Sequence, residues 1–177
     1  MTLTLLLGGA RSGKSALAVH RAGALGRPVV FVATAEARDT EMRDRIARHR
    51  AERPAGWTTR EAPHDLDHAI EQTPAEATVI VDCLSLWVAN LMERGDDPAA
   101  VETAADRVAR RAARHTGPVI AVSNEVGMGI VPDHRLGRAY RDHLGRVNAI
   151  WARHANEAPL VVAGRTLALQ PTGLPDA

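Results

Sequence analysis

The octet Gly8-Gly9-Ala10-Arg11-Ser12-Gly13-Lys14-Ser15 constrains this chain more than any other feature, because it fits the pattern G-x4-G-K-[ST]. In that pattern the glycines let backbone N–H groups turn inward around phosphate oxygens. Lys14 then reaches the β and γ phosphates, and Ser15 offers its hydroxyl to Mg²⁺. Residues 2–7 before the octet are apolar and strand-like, and residues 15–25 after it are rich in alanine and leucine. Strand, loop and helix therefore come in the order that aims the positive end of a helix at a triphosphate. The octet also arises by chance in unrelated chains, and the flanking elements are what set this one apart.

The same alternation continues. Residues 29–33 are apolar and β-branched, 39–52 helix-like, 78–81 strand-like and 84–93 helical in pattern. Farther on, 99–115 reads as an alanine- and arginine-rich helix, 118–122 as a buried strand, 135–156 as a long helix and 160–163 as a last core strand, with 167–169 as a possible edge. Strands alternating with helices imply a mostly parallel sheet flanked by helices, an α/β fold of the P-loop NTPase (RecA-like) type. The polar loops at 53–56 and 95–98 are too short to link independent domains, and 177 residues suit one domain spanning 1–177.

Charge narrows the partners. With 22 basic and 21 acidic side chains the net charge is +1, so phosphate binding must come from local charge, and no nucleic-acid partner is expected. Cys83 is the single cysteine, which rules out an internal disulfide or a cysteine metal cluster. No apolar run approaches the roughly 20 residues that span a bilayer, and the first residues lack the features of a signal peptide. A cytoplasmic location without a membrane span is the expectation.

Three further places carry candidate chemistry. Asp82 ends the strand 78–81, where a P-loop protein needs a carboxylate for Mg²⁺; alternatively it caps the next helix. In the segment 39–53, Met42, Ile46, His49 and Arg53 share a helical face, so spacing alone makes His49 look like a packed or capping histidine. Yet Arg43, Arg45, Arg48, Arg50 and Arg53 crowd the same segment, and an imidazole among arginines suits attack on a phosphorus atom. The run 122–132 follows a core strand; Gly127 and Gly129 suit close approach to a ligand, and an ordinary loop with Met128 and Ile130 tucked into the core is the other reading. Cys83, Trp57, Trp87 and Trp151 read as packing residues.

The P-loop, joined to Val81-Asp82-Cys83-Leu84-Ser85 and to Ser123-Asn124-Glu125-Val126-Gly127-Met128-Gly129-Ile130-Val131-Pro132, resembles the bifunctional adenosylcobinamide kinase/adenosylcobinamide-phosphate guanylyltransferases of cobalamin biosynthesis. The resemblance runs nearly end to end and includes Glu41-Met42, Arg45-Ile46, His49, Arg53-Pro54, Trp57, Glu61, Gly137-Arg138, Tyr140-Arg141-Asp142 and Gly145-Arg146-Val147-Asn148. It implies two reactions on one scaffold. ATP or GTP phosphorylates adenosylcobinamide, and GTP then donates GMP to adenosylcobinamide phosphate through a guanylylated histidine.

By the same resemblance His49 is the nucleophile. Some relatives carry two adjacent histidines there, whereas this chain has Arg48-His49. Gly8, Gly9, Ala10, Arg11, Ser12, Gly13, Lys14, Ser15, Ala33, Thr34, Ala35, Arg50, Ala51, Glu52, Arg53, Glu61 and Asp82 are implied to line the GTP site. Ser15 and Asp82 are implied to hold Mg²⁺, and a homotrimer with active sites between subunits is the implied assembly.

Overall fold

The computed structural model describes residues 2–51 and 53–173, apart from the side chain of Arg45. Glu52, expected at the nucleotide site, lies outside the described residues. In chain order the elements are β1 (Leu3–Gly8), α1 (Lys14–Ala24), β2 (Val29–Ala33), α2 (Thr40–Ala51), β3 (Thr58–Glu61), α3 (Leu66–Glu71) and β4 (Thr78–Asp82). They continue with α4 (Leu84–Arg94), α5 (Pro98–Arg114), β5 (Val119–Asn124), α6 (Arg135–His154), β6 (Ala158–Val162) and β7 (Arg165–Leu169).

The strands form one seven-stranded sheet in the order β3-β2-β4-β5-β1-β6-β7. Every neighbouring pair is parallel except β6 with β7. The central strands read as continuous apolar runs because both of their faces are covered. Alternation then divides the side chains between two layers. Leu3, Leu5, Val30, Val32, Val79, Val81, Val119 and Ala121 meet α3, α4, α5 and α6, whose Trp87, Leu91, Leu144 and Trp151 fill that layer. Leu6, Val29, Phe31, Ile80, Ile120 and Val122 meet Ala18 and Ala22 of α1 on the other side.

The parity of each strand positions the site. Asp82 continues the Ile80 series and Asn124 the Ile120 and Val122 series, so both lie on the α1 face. Because β5 runs between β1 and β4, its end separates the P-loop from Asp82.

Two elements differ from the sequence expectation. β3, Thr-Thr-Arg-Glu, is a polar edge strand with no apolar alternation, and it forms because β2 offers it a ladder from Val30↔Thr58 to Ala33↔Glu61. α3 spans only six residues, with the side chain of Asp65 accepting from the His68 N–H and Leu66, Ala69 and Ile70 buried. β7 pairs fully with β6, from Ala158↔Leu169 to Val162↔Arg165, although all of its side chains are exposed.

Candidate nucleotide-binding site

The P-loop owes its shape to its glycines. A Cβ on Gly8 would sit 2.2 Å from the carbonyl oxygen of Val161, so only glycine lets β1 pass that close to β6. Gly13 adopts φ 99° in the left-handed region and is the N-cap of α1, with no side chain capping it and no acidic residue in the first turn. The first N–H groups of α1 are thus left for an anion. Lys14 is 7% exposed, and its Nζ donates to the Gly9 carbonyl at 2.7 Å, folded back along the loop it would share with phosphate.

Asp82 lies across from the loop, with the Ser15 hydroxyl facing its carboxylate. Burial pushes the Asp82 carboxyl above the usual carboxylate range, against the Ser15 hydroxyl and the charges of His49, Arg53 and Lys14. The capping alternative does not hold, because Cys83 is the N-cap residue of α4 and that helix has no side-chain cap. Thr34 is fully buried; its hydroxyl donates to the Cys83 carbonyl at 2.7 Å and accepts from the Cys83 N–H at 2.8 Å, which ties β2 to the turn after Asp82.

α2 forms the far wall. None of its described side chains is buried, and Met42, Ile46 and His49 are the ones turned toward the body. Arg53, just beyond it, lies flat on Phe31 with its guanidinium carbon 3.5 Å from the ring centroid. Its Nη1 donates to Thr59 Oγ1 at 3.0 Å, and its Nε is buried without a partner among the described residues. Burial pulls the Arg53 guanidinium below its ordinary basicity, opposed by the nearby Asp82 charge. At the rim Arg50 reaches Glu61 at 3.4 Å between exposed side chains.

These walls enclose a cavity of about 480 Å³. It brings together Ala10 to Ser15 of the loop, Ala33, Ala35, His49, Arg50, Arg53, Glu61 and Asp82. Gly8, Gly9, Thr34 and Ala51 do not line it. The two glycines shape the loop, Thr34 works as a brace, and Ala51 is exposed at the end of α2. Sequence reasoning did not assign to the site Ala16, Met42, Ile46, Thr59, Cys83, Leu86, Val122 and Asn124, which also line the cavity. For Asn124 the signal was its place at the end of a buried strand.

The loop after β5 corrects one reading. Met128 and Ile130 are 77% and 97% exposed, not tucked into the core. The loop is held from behind, with Arg141 donating to the Gly127 carbonyl and Arg138 to the Asp133 carbonyl, both at 2.6 Å. Among the described residues no helix is long and apolar enough to cross a membrane.

Comparison with known proteins gives a family and a fold. Residues 4–169 match the family model described as cobinamide kinase / cobinamide phosphate guanyltransferase. The chain is 41% identical over 167 residues to the bifunctional adenosylcobalamin biosynthesis protein CobP of Pseudomonas aeruginosa, covering 94% of this chain and 96% of that one. It is 40% identical over 176 residues to the bifunctional adenosylcobalamin biosynthesis protein CobU of Salmonella typhimurium, covering 92% and 96%. Solved structures with a similar fold include a Pyrococcus horikoshii OT3 protein at TM-score 0.57 and 11% identity, covering 94% of this chain and 85% of that one. The RadB recombinase matches at TM-score 0.52 and 16% identity, covering 90% and 73%.

Proposed function

This chain belongs to the cobinamide kinase / cobinamide phosphate guanyltransferase family, and from that premise we propose that it phosphorylates adenosylcobinamide with ATP or GTP and then transfers GMP from GTP to adenosylcobinamide phosphate. The products of the second reaction are adenosylcobinamide-GDP and pyrophosphate. Both reactions use one domain, 1–177, in a cytoplasmic homotrimer, and the acceptor is this small molecule rather than a nucleic acid.

One observation carries the residue assignment: His49 and the P-loop line the same cavity although one is on α2 and the other follows β1. The inward N–H groups of the loop and Lys14 hold the β and γ phosphates. His49 attacks the α-phosphorus; a phosphorus–nitrogen bond forms as the bond to the β-phosphate oxygen breaks, and pyrophosphate leaves with that electron pair. Arg50 and Arg53 balance the charge on the reacting phosphate. An oxygen of adenosylcobinamide phosphate then displaces His49 from the same phosphorus.

Ser15 and Asp82 suit Mg²⁺. They face each other beside Lys14 and present hard oxygens, the donors Mg²⁺ prefers, so Ser15 and Asp82 would hold it. Among the described residues no three acidic, histidine or cysteine side chains gather as a closed metal cage, which also fits a cation shared with the nucleotide. Bound there, the cation would supply charge neutralisation on the phosphates.

The test uses GTP labelled at the α-phosphate with Mg²⁺. Label retained on the protein, labile to acid, stable to alkali and lost in His49→Ala, is the expected result. Nucleotide binding without any protein-bound label would overturn the guanylyl-histidine route.

A further inference from the structure

We propose that Asn124 is a catalytic residue of the kinase step, its carboxamide bridging the γ-phosphoryl group and the acceptor hydroxyl; this rests on the two-reaction reading given above. The placement follows from the sheet. β5 is the strand between the P-loop strand and the Asp82 strand, with Gly8 opposite Asn124 in one ladder and Asp82 opposite Val122 in the other. Alternation along β5 sends Asn124 to the α1 face, where Lys14 and Asp82 line the same cavity.

Its backbone is fixed on two sides. The Glu125 N–H donates to the Gly8 carbonyl at 3.0 Å, and Asn148 Nδ2 of α6 donates to the Asn124 carbonyl at 3.0 Å. Asn148 is itself held by the buried Ser123 hydroxyl at 2.6 Å. The main chain of Asn124 is thus immobilised from behind, while among the described residues its carboxamide makes no hydrogen bond.

The chemistry of that group differs from that of the charged side chains around it. Lys14 and the arginines only donate, and ionised Asp82 and Glu61 only accept. Thr59 and Ser12 each already accept from a cation, Arg53 and Lys14 respectively. A carboxamide offers two donors and an acceptor in one plane, so it can hold a γ-phosphoryl oxygen and a hydroxyl proton together.

In the step it serves, the acceptor oxygen bonds to the γ-phosphorus while the bond from that phosphorus to the β-phosphate oxygen breaks. The nucleoside diphosphate leaves with the electron pair. The hydroxyl proton, which a carboxamide does not take up, ends on an oxygen of the transferred phosphoryl group and passes to water. His49, Arg50 and Glu61 belong to α2 and β3, and β2 and β4 lie between β3 and β5 in the sheet, so loss of the Asn124 carboxamide falls on phosphoryl transfer more than on the attack of His49 at the α-phosphorus.

The experiment compares Asn124→Ala and the isosteric Asn124→Asp with the unmodified chain. Expected in both is a fall of about 10²-fold in kcat for phosphorylation of adenosylcobinamide, with KM for the nucleotide nearly unchanged in Asn124→Ala and raised in Asn124→Asp, whose carboxylate repels the γ-phosphoryl oxygens. Labelling of His49 by GTP falls much less than phosphorylation in both. Phosphorylation near the unmodified rate in either variant would overturn the proposal. So would equal loss of phosphorylation and His49 labelling, which marks a purely structural role. An unmodified chain that labels His49 but never phosphorylates adenosylcobinamide would overturn the two-reaction reading itself, and this inference with it.

Discussion

Arg53 stacks on Phe31 with its guanidinium carbon 3.5 Å from the ring centroid, and this contact fixes a cation at the cavity wall beside Asp82. Stacking replaces water on one face of a planar cation, and the bond to Thr59 Oγ1 sets its rotation. A lysine keeps the charge and loses both. Arg53→Lys is expected to weaken GTP binding by roughly 10-fold, a change of about 1.4 kcal/mol, with the fold intact. Titration with a fluorescent GTP analogue reads this; affinity equal to the unmodified chain would show that charge alone matters there.

Lys14→Ala should abolish both reactions, because both draw on the same phosphate cradle. The loss is expected at about 10³-fold or more in each rate, measured by phosphorylated acceptor and by His49 labelling. A variant that kept either reaction would separate the two nucleotide sites.

Asp82 sits in the fold at a cost. Its carboxyl is pushed up by burial, so the ionised form is less favourable in the folded chain than in the unfolded one. The stability linked to the protonated form is present at low pH and is lost as pH rises through the raised value. Asp82→Asn should therefore raise Tm at neutral pH in the absence of nucleotide and cation, with the gain shrinking toward acid pH, while Mg²⁺-dependent turnover is lost. Melting curves across pH check the sign; a lower Tm at neutral pH would contradict it.

The Cys83 thiol is pushed up to about 11 by burial and by the neighbouring Asp82 charge. Thiolate is the reactive form, so almost none is present at pH 8. Iodoacetamide should leave Cys83 unmodified in the folded chain and alkylate it rapidly in denaturant, as read by intact mass.

The central sheet was legible because its strands are apolar runs bounded by loops, and the P-loop because each of its residue types has one task. β3 was not, since Thr58 to Glu61 has neither alternation nor burial and exists only because β2 has an open edge to pair with. The cavity was partly legible. Spacing put Met42, Ile46 and His49 on one face of α2, but an apolar stripe with a histidine reads as core, and only the tertiary arrangement turns that stripe toward a cavity instead of a core. Asn124 shows the same limit: a strand pattern gives its parity, whereas its pairing with Gly8 depends on the order of strands, which no local signal encodes.

α1 begins at Gly13 with no side chain closing its first turn. A helix in that state is an incomplete piece of secondary structure, and on the proposed function the phosphate chain of the nucleotide would finish it. Ligand and architecture are therefore thermodynamically one object: loading the loop should stabilise the whole fold by about 2.7 kcal/mol at a hundredfold excess over Kd, with a matching rise in Tm, and each departure of pyrophosphate would reopen a helix end. Turnover would then be a cycle of completing and undoing the protein's own first helix.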